Sequence, residues 1–255
     1  MSALHSLKVT SSLLASTMAG WRGTMARRGS TQPRQLLELF EFEACPYCRL
    51  VREAITELDI DVLIRPTPKG GTRFRPQVVE QGGKAQFPYL HDPNTGTRMY
   101  ESADIIDYLY ATYSDRRPPR AWLHGARVPG SQFATGARGR AGLRAKPSHT
   151  PELPLELYSF ESSPYSRLVR ERLSEYELPY ILRSTGKAIA KDLGPPQWRA
   201  RWFPDEPVVG RNRQRLLARA GKVQVPYLID PNTGTELFES ADILDYLDRT
   251  YAKHA

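Results

Sequence analysis

The sequence contains little cysteine, no long apolar run and, over its first 35 residues, no acidic side chain. Only two cysteines, Cys45 and Cys48, occur in 255 residues, which argues against a secreted disulfide scaffold and is typical of a reducing compartment. No apolar run approaches the roughly 20 residues that a membrane-spanning helix needs. We therefore expect a cytoplasmic protein without a transmembrane segment.

A zinc site is one interpretation of two cysteines three residues apart, but the rest of a ligand set is missing. No second CxxC pair occurs, and the histidines lack ligand spacing, at His5, His91, His124, His149 and His254. We expect no metal site. Inert, buried cysteines are another interpretation, because buried cysteine is common and usually structural.

The net charge of +8 is concentrated in two stretches of the chain. Residues 1–35 carry five basic side chains, and residues 114–151 carry eight against the single Asp115. The remaining residues are therefore mildly acidic. Because nucleic-acid binding domains carry their basic charge on one face of the fold, we expect no nucleic-acid partner.

The basic N-terminal extension, residues 1–35, places Leu14, Met18, Trp21 and Met25 on one helical face. Such an Arg- and Ser-rich segment fits an organelle transit peptide, which would change the compartment. It also fits a helix lying on a membrane surface. We favour a third interpretation, in which the extension packs its apolar stripe on the first domain.

Residues 36–113 predict the order strand, helix, strand, helix, strand, strand, helix. Alternating apolar residues over 37–42 indicate a strand, and apolar residues at helical spacing follow Cys48. The later elements are a strand at 61–64, a short helix at 77–81, a hairpin around 92–96 and a helix capped by Ser102. Cys45 therefore lies at a strand-to-helix junction, where helix N–H groups stabilise a thiolate, with Cys48 one turn along.

Residues 114–151 interrupt this pattern. They contain Pro118-Pro119, repeated glycines and a basic run, a composition that predicts an irregular linker. Trp122, Leu123 and Phe133 are the residues available to anchor it to a neighbouring surface.

Residues 152–255 repeat the first domain. Pro164-Tyr-Ser-Arg-Leu-Val-Arg-Glu171 matches Pro46-Tyr-Cys-Arg-Leu-Val-Arg-Glu53, and the later Pro-Tyr-Leu, Asp-Pro-Asn-Thr-Gly and Glu-Ser-Ala-Asp-Ile motifs recur in the same order. The offset grows from 118 to 138 residues between motifs, so the second copy has an insertion within 187–213, containing Trp198, Trp202 and Phe203. We favour a decorated loop over a lid or partner surface.

In motif content and order, the two repeats resemble the thioredoxin-like, glutathione-binding domain shared by glutaredoxins and the N-terminal half of glutathione S-transferases. The resemblance implies the α/β class, with two tandem thioredoxin-like (βαβαββα) domains joined by a basic, irregular linker. It also implies glutathione as a cosubstrate.

The resemblance further implies a glutathione site in each repeat. The proline of each site would be cis, the residue before it would offer backbone groups to the cysteinyl part of glutathione, and the Glu-Ser pair would bind the glutamyl ammonium and carboxylate. A plain N-cap is the alternative role for each serine. The implied binding residues are Tyr47, Phe87, Pro88, Glu101, Ser102, Tyr165, Val225, Pro226, Glu239 and Ser240.

In the first repeat, Cys45 resembles the glutaredoxin nucleophile and Cys48 the thiol that resolves its mixed disulfide. Arg49 and Arg52 are placed nearby to support a thiolate, and Glu43 is placed to oppose it. This repeat would carry the redox chemistry.

In the second repeat, Ser163 and Ser166 replace the two cysteines. Because a serine cannot form a disulfide, this repeat has no redox cycle of its own. Ser163 resembles the serine that hydrogen-bonds the glutathione thiolate in serine-type transferases. The alternative is a degenerate repeat kept for its interface with the first.

Our leading hypothesis is a glutathione-dependent thiol–disulfide oxidoreductase that acts through Cys45 and Cys48 on a disulfide, a glutathionylated protein or a small-molecule substrate. One alternative is a glutathione-binding or protein-interaction module without turnover. Others are a transferase-like enzyme that uses Ser163, an iron–sulfur carrier with Cys45 and glutathione as ligands, and a prostaglandin-isomerase-like enzyme. The sequence does not determine the oligomeric state.

Overall fold

The computed structural model describes residues 3–27, 29–119 and 127–253. The first half contains α1 (Ala3–Met18), β1 (Leu37–Glu41), α2 (Pro46–Glu57), β2 (Val62–Pro66), α3 (Arg75–Gly82), β3 (Tyr89–Asp92), β4 (Thr97–Met99) and α4 (Ser102–Tyr113). The second half contains α5 (Arg127–Gly136), β5 (Leu155–Ser159), α6 (Pro164–Glu175), β6 (Tyr180–Ser184), α7 (Pro196–Trp202), α8 (Arg211–Ala220), β7 (Tyr227–Asp230), β8 (Thr235–Phe238) and α9 (Ser240–Tyr251).

Each half contains one βαβαββα unit, which confirms the predicted tandem thioredoxin-like fold. Within the first unit, β1 pairs with β2 in parallel and with β3 antiparallel, and β3 pairs with β4 antiparallel. The second unit repeats these pairings with β5 to β8. The parallel pair follows from the crossover through α2 or α6, because parallel neighbours need such a connection.

The described strands of both units form one continuous sheet, in the order β4-β3-β1-β2-β6-β5-β7-β8. Its centre is the antiparallel pairing of β2 with β6, in which Leu63 lies opposite Ile181. These two residues are equivalent under the 118-residue offset of the repeats. The two units are therefore related by a local two-fold axis through this pair, and neither presents its inner edge strand to solvent.

Both faces of the sheet are covered. On one face, a single core joins the two units and is built from β1, β2, β5 and β6 with α2, α4, α6 and α9. On the other face, α3 covers Phe40 and Tyr89 in the first unit, and α8 covers Tyr158 and Tyr227 in the second. In the described part of the chain, no helix combines the length and the apolar character needed to cross a membrane.

The helix α1 packs on the second repeat, and its apolar stripe points outward. Leu14, Met18 and Trp21 are exposed, whereas the buried face presents Ser12 and other small side chains to α6 and α5. The interpretation in which this stripe packs on the first domain is therefore wrong. The physical reason is close packing, since Ser12 Oγ donates a hydrogen bond of 2.8 Å to the carbonyl oxygen of Pro164.

The interval predicted as a linker contains α5, which packs on α2 of the first repeat. Ser131 Oγ donates to the carbonyl oxygen of Pro46 at 2.7 Å, the same contact that α1 makes with Pro164. Phe133 is exposed and anchors nothing, and Trp122 and Leu123 lie outside the described residues. The two helices α1 and α5 are thus equivalent arms, each laid across the helix that begins at the other repeat's Cys or Ser motif.

The insertion 187–213 contains a 3₁₀ turn (Ala190–Asp192) and α7. Its polar anchor is the buried Asp192, which accepts hydrogen bonds from Arg199 and Arg213. Trp198 and Trp202 are both exposed. The insertion is therefore held to the second unit by charge rather than by its aromatic residues.

Candidate functional site

The Cys45 thiol lies at the N-terminus of α2. Cys45 is the N-cap residue with extended backbone, Pro46 occupies the first helical position, and Cys45 Sγ accepts a hydrogen bond of 3.3 Å from the Cys48 N–H. Proline suits this position because its missing N–H would have had no partner inside the helix. The sulfur is therefore held against the positive end of a helix, as the sequence predicts.

The two thiols, both free, have oppositely shifted acidities. The hydrogen bond from the Cys48 thiol lowers the pKa of Cys45, helped by the N–H groups of Cys48 and Tyr47 and opposed by burial. Burial and the neighbouring Cys45 raise the pKa of Cys48 well above its ordinary value. Cys45 is therefore the thiol that ionises first, and Cys48 stays protonated as its hydrogen-bond donor.

In the second repeat, Ser163 reproduces this geometry with oxygen in place of sulfur. It is the N-cap of α6, and its Oγ accepts a hydrogen bond of 3.3 Å from the Ser166 N–H. Ser163 is as buried as Cys45. The two motifs therefore have the same backbone conformation. They differ chemically because this position carries a sulfur atom in Cys45 and an oxygen atom in Ser163.

The prolines implied by the family resemblance have the expected backbone. The Phe87–Pro88 and Val225–Pro226 peptide bonds are both cis. Phe87 lies edge-on to Phe42, with ring centroids 6.3 Å apart, and Phe42 belongs to the loop that leads into Cys45. The structure thus brings the loop before Pro88 beside the loop that carries the thiol.

The two Glu-Ser pairs have an unusual backbone. Glu101 and Glu239 have φ of 64° and 62°, a left-handed conformation that is unfavourable for residues other than glycine and that often marks functional sites. Each is the N-cap of its helix without a side-chain cap hydrogen bond, and Ser102 is already the first helical residue. The prediction that Ser102 caps the helix is therefore wrong by one position.

Sequence reasoning missed two glutamines at these sites. Gln86 Nε2 donates to Glu101 Oε1, and Gln224 Nε2 donates to Glu239 Oε1. The signal was present in the sequence, because both copies carry Gln two residues before the cis proline. These contacts tie the proline loop of each repeat to its Glu-Ser pair.

The N-terminal arm contacts the Glu-Ser pair of the second repeat. Ser240 is buried, and its Oγ hydrogen-bonds His5 Nε2 of α1 at 3.2 Å. Ser102 is half-buried, and Tyr47 and Tyr165 are exposed at the first turns of their helices. The N-terminal arm therefore engages, through His5, the serine hydroxyl of the second repeat's predicted glutathione site.

Behind the thiols lies a buried group of ionisable side chains, which we call the central charge cluster: Glu41, Glu43, Arg49, Arg52, Glu161, Arg167 and Arg170. Its two-fold related contacts cross between the repeats. Arg52 Nε contacts Glu161 Oε2 at 2.8 Å, and Arg170 Nε contacts Glu43 Oε2 at 3.0 Å. Arg49 and Arg52 were expected to support the Cys45 thiolate, but their partners are these carboxylates.

The cluster sets the acidity of its members. Burial opposes ionisation of Glu161, yet Arg170, Arg52 and Arg49 hold the pKa of its carboxyl well below the usual range. Burial instead raises the pKa of Glu41 to about 7, although Arg52 contacts it. The cluster therefore contains one carboxyl held ionised and one that titrates near neutrality.

The described residues contain no group of three or more His, Cys, Asp or Glu side chains that could hold a metal ion.

Comparison with known proteins identifies the family. The model of the glutathione S-transferase N-terminal domain matches residues 39–117 and again residues 157–255. No curated protein matches the chain. Among solved structures, a trimeric glutathione transferase from Leishmania matches with a TM-score of 0.28 and 12% identity, over 87% of this chain and 68% of that one. The two matched regions cover more than half of the chain, which therefore belongs to the glutathione S-transferase N-terminal domain family and carries that domain twice.

Proposed function

We propose that the protein is a glutathione-dependent thiol–disulfide oxidoreductase whose nucleophile is Cys45 and whose resolving thiol is Cys48. The observation that carries the proposal is the position of Cys45 Sγ, which is the N-cap of α2 and accepts the Cys48 N–H. Such a position stabilises a thiolate, and the thiolate is the attacking form in disulfide exchange.

The proposed reaction has two exchanges. The Cys45 thiolate attacks the glutathione sulfur of a mixed disulfide, which forms a Cys45–glutathione disulfide and releases the substrate as a thiolate. Cys48 then loses its proton and attacks Cys45 Sγ, which forms the Cys45–Cys48 disulfide and releases glutathione as a thiolate. Two molecules of reduced glutathione return the pair to thiols and leave as glutathione disulfide.

The predicted glutathione-binding residues take the remaining roles in this proposal. The backbone of Phe87, before the cis Pro88, would pair with the cysteinyl part of glutathione. Ser102 and the free N–H groups at the start of α4 suit the glutamyl carboxylate. The Glu101 carboxylate suits the ammonium, and Tyr47 is exposed beside the thiol.

A structural role for the second repeat is the better-supported alternative to a second active site. In a second active site, Ser163 would donate a hydrogen bond to the glutathione thiolate, with Tyr165 beside it, and Val225, Pro226 and Glu239 would repeat the roles of their counterparts in the first repeat. His5, however, contacts the Ser240 hydroxyl that this site would need. Because Ser163 and Ser166 cannot form a disulfide, we place turnover in the first repeat.

The test is alkylation of Cys45 as a function of pH, combined with mass spectrometry after exposure to glutathione disulfide. We expect a thiol that titrates below about 8.5, the reference value for free cysteine, and an adduct that converts to an intramolecular disulfide. Because Cys45 is only 4% exposed, the rate of a bulky maleimide relative to that of iodoacetamide should be lower than for free cysteine. An unshifted thiol that takes up no glutathione would exclude the oxidoreductase and favour a binding module.

A further inference from the structure

The outward side of α1 carries a row of large apolar side chains, which we call the apolar face. Its members are between 42% and 68% exposed: Leu4, Leu7, Leu14, Met18 and Trp21. They recur at the three- and four-residue spacing of one side of a helix. Single exposed leucines are normal on a protein surface, whereas a contiguous apolar row marks an interaction site.

The opposite side of α1 is fixed to the protein. Ser16 is completely buried, and its Oγ donates a hydrogen bond of 2.7 Å to the carbonyl oxygen of Ser162. Ala15 is also completely buried and packs with Ala134 of α5. While these contacts hold, α1 cannot turn its leucines inward, so the apolar face belongs to the outer surface of the folded protein.

The structure brings the two basic stretches of the sequence together around this face. We call residues 3–27 and 127–146 the arm layer, because α1 packs on α5. Arg138 Nη1 donates to the carbonyl oxygen of Lys8 at 2.9 Å, and Arg22 Nη2 donates to that of Arg127 at 3.3 Å. Arg140, two residues beyond Arg138, is exposed. Neither range contains Asp or Glu, so the arm layer carries cations and no carboxylate side chain.

Some carboxylates do approach the arm layer. Glu53 of α2 and Glu171 of α6 are buried beneath it, and each pairs with an arginine of the layer, at 2.9 and 2.7 Å. Asp242 and Asp245 of α9 are exposed and lie near His5, which is on the inner side of α1. These acids are therefore either neutralised by the layer or confined to the side of His5.

We propose that the apolar face docks the protein on the surface of a membrane that contains anionic lipids. Helix α1 has 16 residues, fewer than the roughly 20 that span the hydrocarbon core. It would therefore lie in the plane of the interface, with its leucines among the acyl chains and the cations of the arm layer at the lipid phosphates. The proposal does not depend on the proposed redox function.

Other occupants suit this surface less well. A second copy of the chain would bring two cationic layers together, and like charges across an interface oppose association. A nucleic acid would contact the cations but leave the apolar face in water. A groove of a partner protein would enclose a helix, whereas the inner half of α1 is already packed on α5 and α6. A flat bilayer needs only the outer half.

The test is co-sedimentation of the full-length protein with two kinds of vesicle, one of phosphatidylcholine alone and one of equal parts phosphatidylcholine and phosphatidylglycerol. We expect binding to the anionic vesicles alone. Binding should weaken as NaCl rises from about 0.1 M to about 1 M, because the screening length falls from about 10 Å to about 3 Å.

The apolar contribution is measured with Leu7→Gln combined with Leu14→Gln. Binding to the anionic vesicles should weaken by about 10²-fold, or about tenfold for each leucine withdrawn from the acyl chains. The matched control is Leu153→Gln combined with Leu193→Gln, which removes two leucines of similar exposure outside the arm layer and should leave binding unchanged. Circular dichroism should show the same fold in both variants, since all four side chains are exposed.

The charge contribution is measured with Lys8→Gln combined with Arg140→Gln. Each cation beside an anionic bilayer strengthens binding by about fivefold, so this pair should weaken it by about 25-fold and flatten its salt dependence. Arg98→Gln combined with Lys222→Gln removes the same net charge from exposed positions in β4 and after α8 and should have little effect. Cys45→Ser should bind vesicles as the wild type does.

Several results would overturn the proposal. These are no binding to the anionic vesicles, equal binding to both lipid mixtures, and wild-type binding by the Leu7 and Leu14 double variant. An equal loss in the Leu153 and Leu193 control would also overturn it. A wild-type dimer that becomes monomeric in the Leu7 and Leu14 variant would show instead that a second copy covers the apolar face.

Discussion

The replacement Glu161→Gln tests how much the central charge cluster contributes to stability. Glu161 is buried at the contact between the repeats, and its carboxylate lies 2.8 Å from Arg52, 3.0 Å from Arg170 and 3.7 Å from Arg49. A neutral amide at this position would remove one negative charge from the partners of these guanidinium groups, which are buried and cannot be solvated by water instead. Removing one member of a buried ion pair typically costs about 3–5 kcal/mol.

The measurement is thermal and urea unfolding followed by circular dichroism at pH 7. At roughly 2–4 °C per kcal/mol for a chain of this size, Glu161→Gln should lower the Tm by about 6–20 °C. The matched control is Glu206→Gln, which removes a carboxylate paired with the exposed Lys191 and should cost about 1 kcal/mol or less. Glu43→Gln, the two-fold equivalent, should resemble Glu161→Gln.

The pH dependence gives a second check on the same replacement. Because the pKa of Glu161 is depressed in the folded protein, its stabilisation is fully present above its ordinary pKa of 4.5 and is lost as the pH falls further. The difference between wild type and Glu161→Gln should therefore be constant from pH 5 to 8 and shrink in acid. A Glu161→Gln variant as stable as Glu206→Gln would refute the reasoning.

Two other predictions concern stability. Burial raises the pKa of Glu53 from 4.5 to about 7. The free energy of unfolding of the wild type should therefore decrease as the pH rises from 4.5 to 7. In urea unfolding at pH 4.5 and 7.5, this decrease should be smaller by about 3 kcal/mol in Glu53→Gln. Gly142→Ala should cost about 2–4 kcal/mol, because its Cβ would lie 2.9 Å from Glu43 Cβ at φ +75°. Gly139→Ala, at φ +63° with nothing nearby, should cost only about 1 kcal/mol.

Local signals in the sequence predicted the elements of each thioredoxin-like unit. The alternation before Cys45, the helical spacing after Cys48 and the turn at 92–96 each depend on contacts between neighbours along the chain. The repeat of these signals gave two units of the same order. The one-residue error at Ser102 arose because Glu101 takes a left-handed backbone and becomes the N-cap residue. The general preference for serine at the N-cap does not reveal this.

The arms were missed because their helices depend on tertiary contacts. Pro129, Gly130 and Gly136 disfavour a helix over 127–136, yet α5 forms there against α2 and α1. A signal existed at an offset of 119 residues, where Ser12, Ala15, Gly20 and Gly23 of the N-terminal segment recur as Ser131, Ala134, Gly139 and Gly142. The repeat therefore includes the arms, a match too sparse to find beside the stronger motifs.

The burial of the charge cluster could not be predicted from residue types. Arginine and glutamate are almost never fully buried unless paired, and the pairs that join the two repeats connect residues more than 100 positions apart, such as Arg52 and Glu161. The pairing follows from the two-fold axis at Leu63 and Ile181. That axis depends in turn on edge pairing between β2 and β6, which local patterns do not encode.

The same contacts explain how a repeat without cysteines can support one that has them. The second repeat supplies β6 to the inner edge of β2, Glu161 to Arg52, and α5 to the outer face of α2. Without the second repeat, the edge of β2 and the charged face of α2 behind Cys45 would be exposed to solvent. Serine in place of both cysteines leaves all three contacts intact. We infer that the second copy can lose the groups of exchange chemistry while keeping every group that positions Cys45.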